Sequence, residues 1–218
     1  GGEQRLFSSL VIIGGGVIGV ELASVYSALG CHVTILEAMD RILPNMDREI
    51  CQNLTMILKK RGVEVYPSSM VSAVEKTEDG TLSVHYTNKG EEKAAQGEAV
   101  PCAIGRRPNT AGLFGEGFTV EMERGRILTD ENFQTSVPGI YAVGDVAARI
   151  QLAHVASAQG TACVEKLAGK TSPANLALIP SCIYTSPEIA CIGITADEAK
   201  AAGRAVKVGK FVMFANGK

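Results

Sequence analysis

The stretch LVIIGGGVIGVELASVYSALGCHVTILE, residues 10–37, decides how the rest of the chain is read. A short apolar run from residue 10 breaks at three glycines and resumes as a helical pattern, Val17 to Leu29, that closes on Gly30. HVTILE (32–37) follows as a β-branched run. Strand, glycine turn, helix and strand in about 30 residues is the size of one βαβ unit. Within it, Gly14-x-Gly16-x-x-Gly19 puts glycine where each task forbids a side chain. Gly14 makes the tight turn out of the strand, Gly16 lets the backbone approach a pyrophosphate, and Gly19 lets helix and strand pack closely. The first helical turn, Val17 and Ile18 onward, would offer N–H groups and its positive dipole end to phosphates.

A GxGxxG alone is a weak signal, but here a strand precedes it and a helix follows. Glu37 closes the second strand 18 residues past Gly19. That is close to the spacing at which a carboxylate meets the adenosine ribose hydroxyls. A 2′-phosphate at that place would face a like charge, so NAD is favoured over NADP. Arg41 follows the acid without replacing it. Glu21, flanked by Val20 and Leu22, reads either as a carboxylate near the nicotinamide end of the crevice or as a solvated helix residue.

Outward from this unit, Asp47 to Arg61 reads as a second helix, with Ile50, Leu54, Ile57 and Leu58 on one face and Gly62 at its C′ position. The period then changes. VEVY (63–66), MVSAVEK (70–76) and LSVHYT (82–87) read as short antiparallel strands, with an Asp79-Gly80 hairpin between the last two. EAVPCAIG (98–105) reads as a strand returning to a glycine, which closes a dinucleotide-binding domain near residue 105. GRRPNTAGLFGEG (105–117) reads as a crossover, residues 127–146 as strands, and 153–168 as a helix. Residues 180–214 read as strand, strand, helix, strand, the helix opening on a capping box of Thr195 and Glu198.

Bulk properties narrow the function classes. The 218 residues are 46% hydrophobic with net charge −2, and their charges are interspersed. No basic footprint suggests nucleic acid, and no apolar run approaches the roughly 18 residues of a membrane span. Six cysteines, none in CxxC spacing, read as buried free thiols of a reducing cytoplasm. His32, His85 and His154 are isolated, and no metal is expected.

Five blocks then fall in one order: residues 14–47, AIGRRPNT (103–110), TSVPGIYAVGDV (135–146), LAHVASAQG (152–160) and IPSCIYTSPEIACIG (179–193). Together they resemble the pyridine nucleotide-disulfide oxidoreductases, most closely the dihydrolipoamide dehydrogenase branch, over nearly the whole chain. The resemblance implies an α/β fold. A Rossmann-like NAD-binding domain (8–105; parallel sheet plus antiparallel meander) would precede a central FAD-contacting segment (106–172). The start of an α+β interface domain (173–218) would follow. Gly14, Gly16, Val17, Ile18 and Gly19 would hold the NAD pyrophosphate, Glu37 the ribose, with Glu21 near the nicotinamide and Gly105 close to NAD. Gly144 and Asp145 would meet the ribityl chain of FAD, and Leu152, Ala153 and His154 the pyrimidine edge of its ring. A homodimer and a lipoyl-bearing acyltransferase complex are the implied partners.

The departures are as informative. The family's separate FAD fingerprint and its CxxxxC pair do not occur in these residues. They reach Asn216-Gly217-Lys218 without the family's terminal His–Glu pair. The expectation is an internal portion, inactive alone and with no catalytic residue of its own, of an enzyme oxidising dihydrolipoyl groups through a disulfide and FAD to reduce NAD. A sibling reductase with another thiol substrate and a free-standing NAD-binding regulatory module remain the alternatives.

Overall fold

A computed structural model describes residues 6–213. The last residues of the expected interface segment, among them Asn216 to Lys218, lie outside the described residues. The chain forms two compact units, one from the residues up to Gly105 together with those from Ser181 onward, the other Arg106–Pro180.

The first unit is built on β1 (Ser9–Ile13), α1 (Val17–Ala28), β2 (His32–Leu36), α2 (Arg48–Lys60) and β3 (Glu64–Tyr66). The three strands form one parallel sheet in the order β1-β2-β3. Its strands are apolar on both faces because both faces are covered. Leu10, Ile12, Val33 and Ile35 pack with Val20 and Ala23 of α1 and with Leu54 and Leu58 of α2. Val11 and Leu36 point the other way, onto Val84 and Tyr86. Those two residues belong to an antiparallel sheet of β4 (Ser69–Lys76), β5 (Leu82–Asn88) and β6 (Glu91–Gly97). The α2 helix runs one residue inside its expected limits at each end, with Asp47 as N-cap and Arg61 as C-cap. Truncating its buried Leu58 to Ala would cost about 2–5 kcal/mol.

Three strand expectations need correction in this unit. VEVY is not antiparallel: β3 pairs parallel with β2, because α2 returns the chain to the same end of the sheet. Residues 98–105 do not form a regular strand. They run beside β1 as isolated parallel bridges, Leu10 with Ala99 and Ile13 with Cys102, and Pro101 has no N–H with which to extend the ladder. β6 is an additional strand, and its sequence EEKAAQG carries no apolar alternation to signal it. It is specified by its pairing with β5 from Leu82–Gly97 to Asn88–Glu91.

β9 (Pro180–Ile183) and β10 (Ile189–Ile192) make a two-stranded sheet, and α4 (Ala196–Ala201) follows. Thr195 and Glu198 form the expected capping box. The expected last strand is absent among the described residues: 204–212 show no helix or strand, and Val206, Val208, Phe211 and Val212 lie exposed with no neighbouring ladder.

In the second unit, β7 (Met122–Glu123) and β8 (Arg126–Ile127) are two residues each, and α3 (Ala153–Leu167) is the single α-helix among its described residues. The strands expected over 127–146 reduce to β8 and one bridge, Gln134 with Tyr141. Turns take their place: Asp130 Oδ1 accepts from the N–H groups of Asn132 and Gln134, and Phe133 sits at φ 67°. No helix of the described residues is long and apolar enough to cross a membrane.

Candidate functional site

The glycine-rich turn lies at the carboxyl ends of the parallel strands, where an open α/β sheet offers its crevice. Two of its glycines are demanded by packing. Gly14 turns at φ 106°, and a Cβ there would lie 2.5 Å from the Ala103 carbonyl oxygen. A Cβ on Gly19 would collide with the Gly14 carbonyl oxygen. Gly16 is different. It is extended at φ −72°, and a Cβ there would meet nothing within 4 Å. Neither backbone strain nor a neighbour explains that glycine, and the space its Cβ would occupy is open.

Gly16 is also the N-cap of α1. No side chain caps the helix and no acidic residue occupies its first turn, so no capping side chain takes up the N–H groups at Val17, Ile18 and Gly19. This matches what an incoming phosphate requires. The Ala103 N–H donates to the Ile13 carbonyl at 2.7 Å, which brings the 103–105 stretch and Gly105 alongside the turn. Gly105 takes φ 114°.

Glu37 is 7% exposed and turned inward. One carboxylate oxygen accepts from the Gly15 N–H and the other from the Met39 N–H at 2.7 Å. Glu21, on α1, accepts the Tyr184 N–H at 2.8 Å, and Ser24 one turn on accepts the Ser186 N–H at 3.3 Å. The Glu21 carboxylate is therefore tied to the segment after β9, a partner that its apolar neighbours in sequence did not suggest.

The flavin-motif residues gather in the second unit. Gly144 turns at φ 72° against Ala156 of α3, and its N–H donates to Gln159 Oε1 at 2.8 Å. Asp145 follows within a one-turn helix, Gly144–Val146, with its Oδ2 3.6 Å from Arg106 Nε. Leu152 is the N-cap of α3, again with no side-chain cap and no acidic residue in the first turn. His154 brings Nε2 to 2.8 Å from the Pro180 carbonyl oxygen. A carbonyl only accepts, so this nitrogen carries the proton. The donors and acceptors present suit a ribityl chain at Asp145 and an electron-rich ring edge at the start of α3.

Sequence reasoning missed Gly15, Ala103, Arg106 and Gln159. The first two act through backbone atoms, and the other two depend on tertiary placement. The cysteines also need correction. Cys31, Cys51 and Cys163 are buried, but Cys102, Cys182 and Cys191 are exposed, and all six are free. Burial pushes the Cys31 thiol up, with Glu98 adding to it. Burial raises Cys51 too, against the opposing guanidinium of Arg41. Those two thiols are protonated and inert at neutral pH.

Residues 2–160 match the pyridine nucleotide-disulphide oxidoreductase family, and residues 179–218 match that family's dimerisation domain. Dihydrolipoyl dehydrogenase of Bacillus subtilis (strain 168) is 42% identical over 218 residues, covering 99% of this chain and 46% of its own length. Dihydrolipoyl dehydrogenase 3 of Pseudomonas putida is 43% identical over 95% of this chain and 45% of its own. Among solved structures, the HOCl-induced flavoprotein disulfide reductase RclA of Escherichia coli superposes with a TM-score of 0.78 at 32% identity. It covers 92% of this chain and 46% of that one. LpdA of Mycobacterium tuberculosis gives 0.82 at 30%, over 92% and 43%. The chain thus spans a little under half the length of the relatives it matches. Those dihydrolipoyl dehydrogenases are enzymes of a flavin-dependent oxidoreductase family that uses FAD and NAD.

Proposed function

The chain belongs to the pyridine nucleotide-disulphide oxidoreductase family, and from that premise we propose that it is the NAD-binding portion of a flavin-dependent dihydrolipoamide dehydrogenase. Residues 8–105 form the NAD-binding domain, 106–172 the central FAD-contacting segment, and 173–218 part of an interface domain. The observation that carries the reading is Gly16, a glycine required by no neighbour, at the uncapped start of a helix, beside an acid that ends the adjacent strand.

The residues divide the work by chemistry. Gly14, Gly16 and Gly19 shape a backbone cradle for a pyrophosphate, with the Val17 and Ile18 N–H groups turned to it. Glu37 accepts from ribose hydroxyls and repels a 2′-phosphate. Glu21 and Gly105 lie toward the nicotinamide end. Asp145 accepts from the ribityl chain, Gly144 gives the turn that aims it, and the Leu152-Ala153-His154 helix start favours negative charge at the ring edge. Bound FAD would relay two electrons from a dithiol to NAD.

Residues 179–218 support a homodimer, in which the exposed Ile192, Ile194, Phe211 and Val212 become covered. A lipoyl-bearing acyltransferase is the partner in the whole enzyme, which works in a reducing cytoplasm. Titration with NADH and NADPH, followed by NAD reduction with dihydrolipoamide in the whole protein, tests the proposal. Tighter NADH binding with turnover supports it. NADH binding with turnover only of a different disulfide substrate would favour a sibling reductase, and equal binding of NADPH would remove the reading of Glu37.

A further inference from the structure

The GxGxxG pattern leaves position 15 free, yet it is also glycine, and the nucleotide-binding reading gives it no task. The structure supplies one. A Cβ on Gly15 would lie 2.7 Å from Ile42 Cγ2 and 3.2 Å from both Cβ and Oε2 of Glu37. The residue is small because the 37–43 segment is pressed against it. Its N–H donates to Glu37 Oε2, and its carbonyl accepts the Leu43 N–H at 2.9 Å. Leu43 reaches that bond from φ 49° and is buried at 2% exposure. The other oxygen of Glu37 takes the Met39 N–H at 2.7 Å. Both polar atoms of the Gly15 residue are therefore held by the segment that ends the second strand.

We infer that Glu37 is a positioning residue as well as a ribose reader: its carboxylate fixes the glycine-rich turn in the binding conformation before any nucleotide arrives. This rests on the nucleotide-binding reading of the same turn. A carboxylate oxygen has about two acceptor sites, so one bond to each leaves one acceptor on each for a vicinal diol. The two roles use different lone pairs of one group and do not compete. An acceptor-only group is required, because a glutamine at this place would set an N–H₂ against one of the two backbone N–H donors. Pre-formed cradles bind more tightly because the cost of ordering the loop is met in folding.

The experiment uses the purified whole protein without nucleotide and follows amide hydrogen exchange around residues 13–18. In the wild type, the Gly15 amide should exchange at least about tenfold more slowly than an unstructured glycine amide, the scale of one hydrogen bond to a charged acceptor. Glu37→Gln should accelerate Gly15 and its neighbours by about tenfold or more, while the β4–β5 pairing keeps its protection. Gly15→Ala, which keeps the Glu37 carboxylate but presses a Cβ against Ile42 and Glu37, should also weaken NADH binding by about tenfold or more. An unprotected Gly15 amide in the wild type overturns the brace, and that measurement needs no variant to fold. Unchanged exchange in Glu37→Gln overturns it too, whatever happens to NADH. A wild type with a protected Gly15 that binds no NADH would instead sink the nucleotide reading and leave the brace standing.

Discussion

Arg106 holds its Nε 3.6 Å from Asp145 Oδ2, so the carboxylate proposed for the flavin already has a counter-charge from the block that begins the second unit. The two side chains are 67% and 41% exposed. An ion pair so open to solvent contributes about 0–1 kcal/mol and is screened by salt. Arg106→Gln should therefore leave the unfolding free energy within about 1 kcal/mol of the wild type. Asp145→Asn should release flavin from the whole protein by about a tenfold change in affinity or more. Equilibrium unfolding and flavin fluorescence read the two effects separately. An Asp145→Asn protein that keeps flavin as the wild type does would remove Asp145 from the site.

The glycines predict a division between folding and binding. Gly19→Ala drives a Cβ into the Gly14 carbonyl, and Gly14→Ala adds an unfavourable φ of 106° to a contact with Ala103. Each should destabilise by about 1–3 kcal/mol or more in denaturant. Gly16→Ala meets nothing and keeps an ordinary φ, so its stability should stay within about 0.5 kcal/mol. Its NADH affinity should nevertheless collapse. A Gly16→Ala protein that binds NADH normally would leave that glycine without an explanation.

Glu37 predicts the choice of nucleotide. Glu37→Ala should lose about tenfold or more in NADH affinity, from charge-assisted bonds of about 1.5–3 kcal/mol. The same change should narrow the gap between NADH and NADPH, because the repelling charge has gone. Isothermal titration of both nucleotides against both proteins measures this. A gap that stays as wide in the variant would mean that something other than Glu37 excludes the 2′-phosphate.

These residues also show what was legible in the sequence. The β1-α1-β2 unit was readable because glycines, helical period and β-branched run all agree with one local structure. The capping box of α4 was readable for the same reason: Thr195 and Glu198 satisfy each other within one turn. β6 was not, since EEKAAQG becomes a strand only by lying against β5. The parallel pairing of β3 was hidden because VEVY looks alike in either direction. At the site, Gly16 and Glu37 stood out by spacing, but the Glu37 bonds to Gly15 and Met39 are made with backbone atoms that every residue carries.

Strong acid should loosen the turn of the β4–β5 hairpin. Asp79 accepts from the Thr77 hydroxyl and from the N–H and hydroxyl of Thr81, bonds that hold its carboxyl down at about 2. A carboxyl lowered in the folded state contributes stability that is complete above its unfolded value of about 3.9 and is lost as pH falls toward 2. Protection of the amides at 77–81, taken relative to the intrinsic exchange rate at each pH, should therefore fall between about pH 4 and pH 2. Asp79→Asn should already have low protection there at neutral pH and lose no more across that window. A pH response kept by the variant would assign it to another acid.

Chemistry sets the sharpest test of the proposed function. Dihydrolipoamide gives up two electrons only by exchange with a disulfide, and the 218 residues contain no CxxxxC pair. Cys31, Cys51 and Cys163 are buried, the first two held protonated by that burial, which leaves Cys102, Cys182 and Cys191 as the exposed thiols. None of these is placed with a second cysteine in the spacing the reaction uses. A polypeptide made of these residues alone should bind NADH, seen by its fluorescence, through the turn at Gly14–Gly19. It should not reduce NAD with dihydrolipoamide, even with FAD in excess, while the whole protein should do so. Turnover by the 218 residues alone would place the redox pair among the three exposed cysteines. Replacing each by serine would then identify which two carry the electrons.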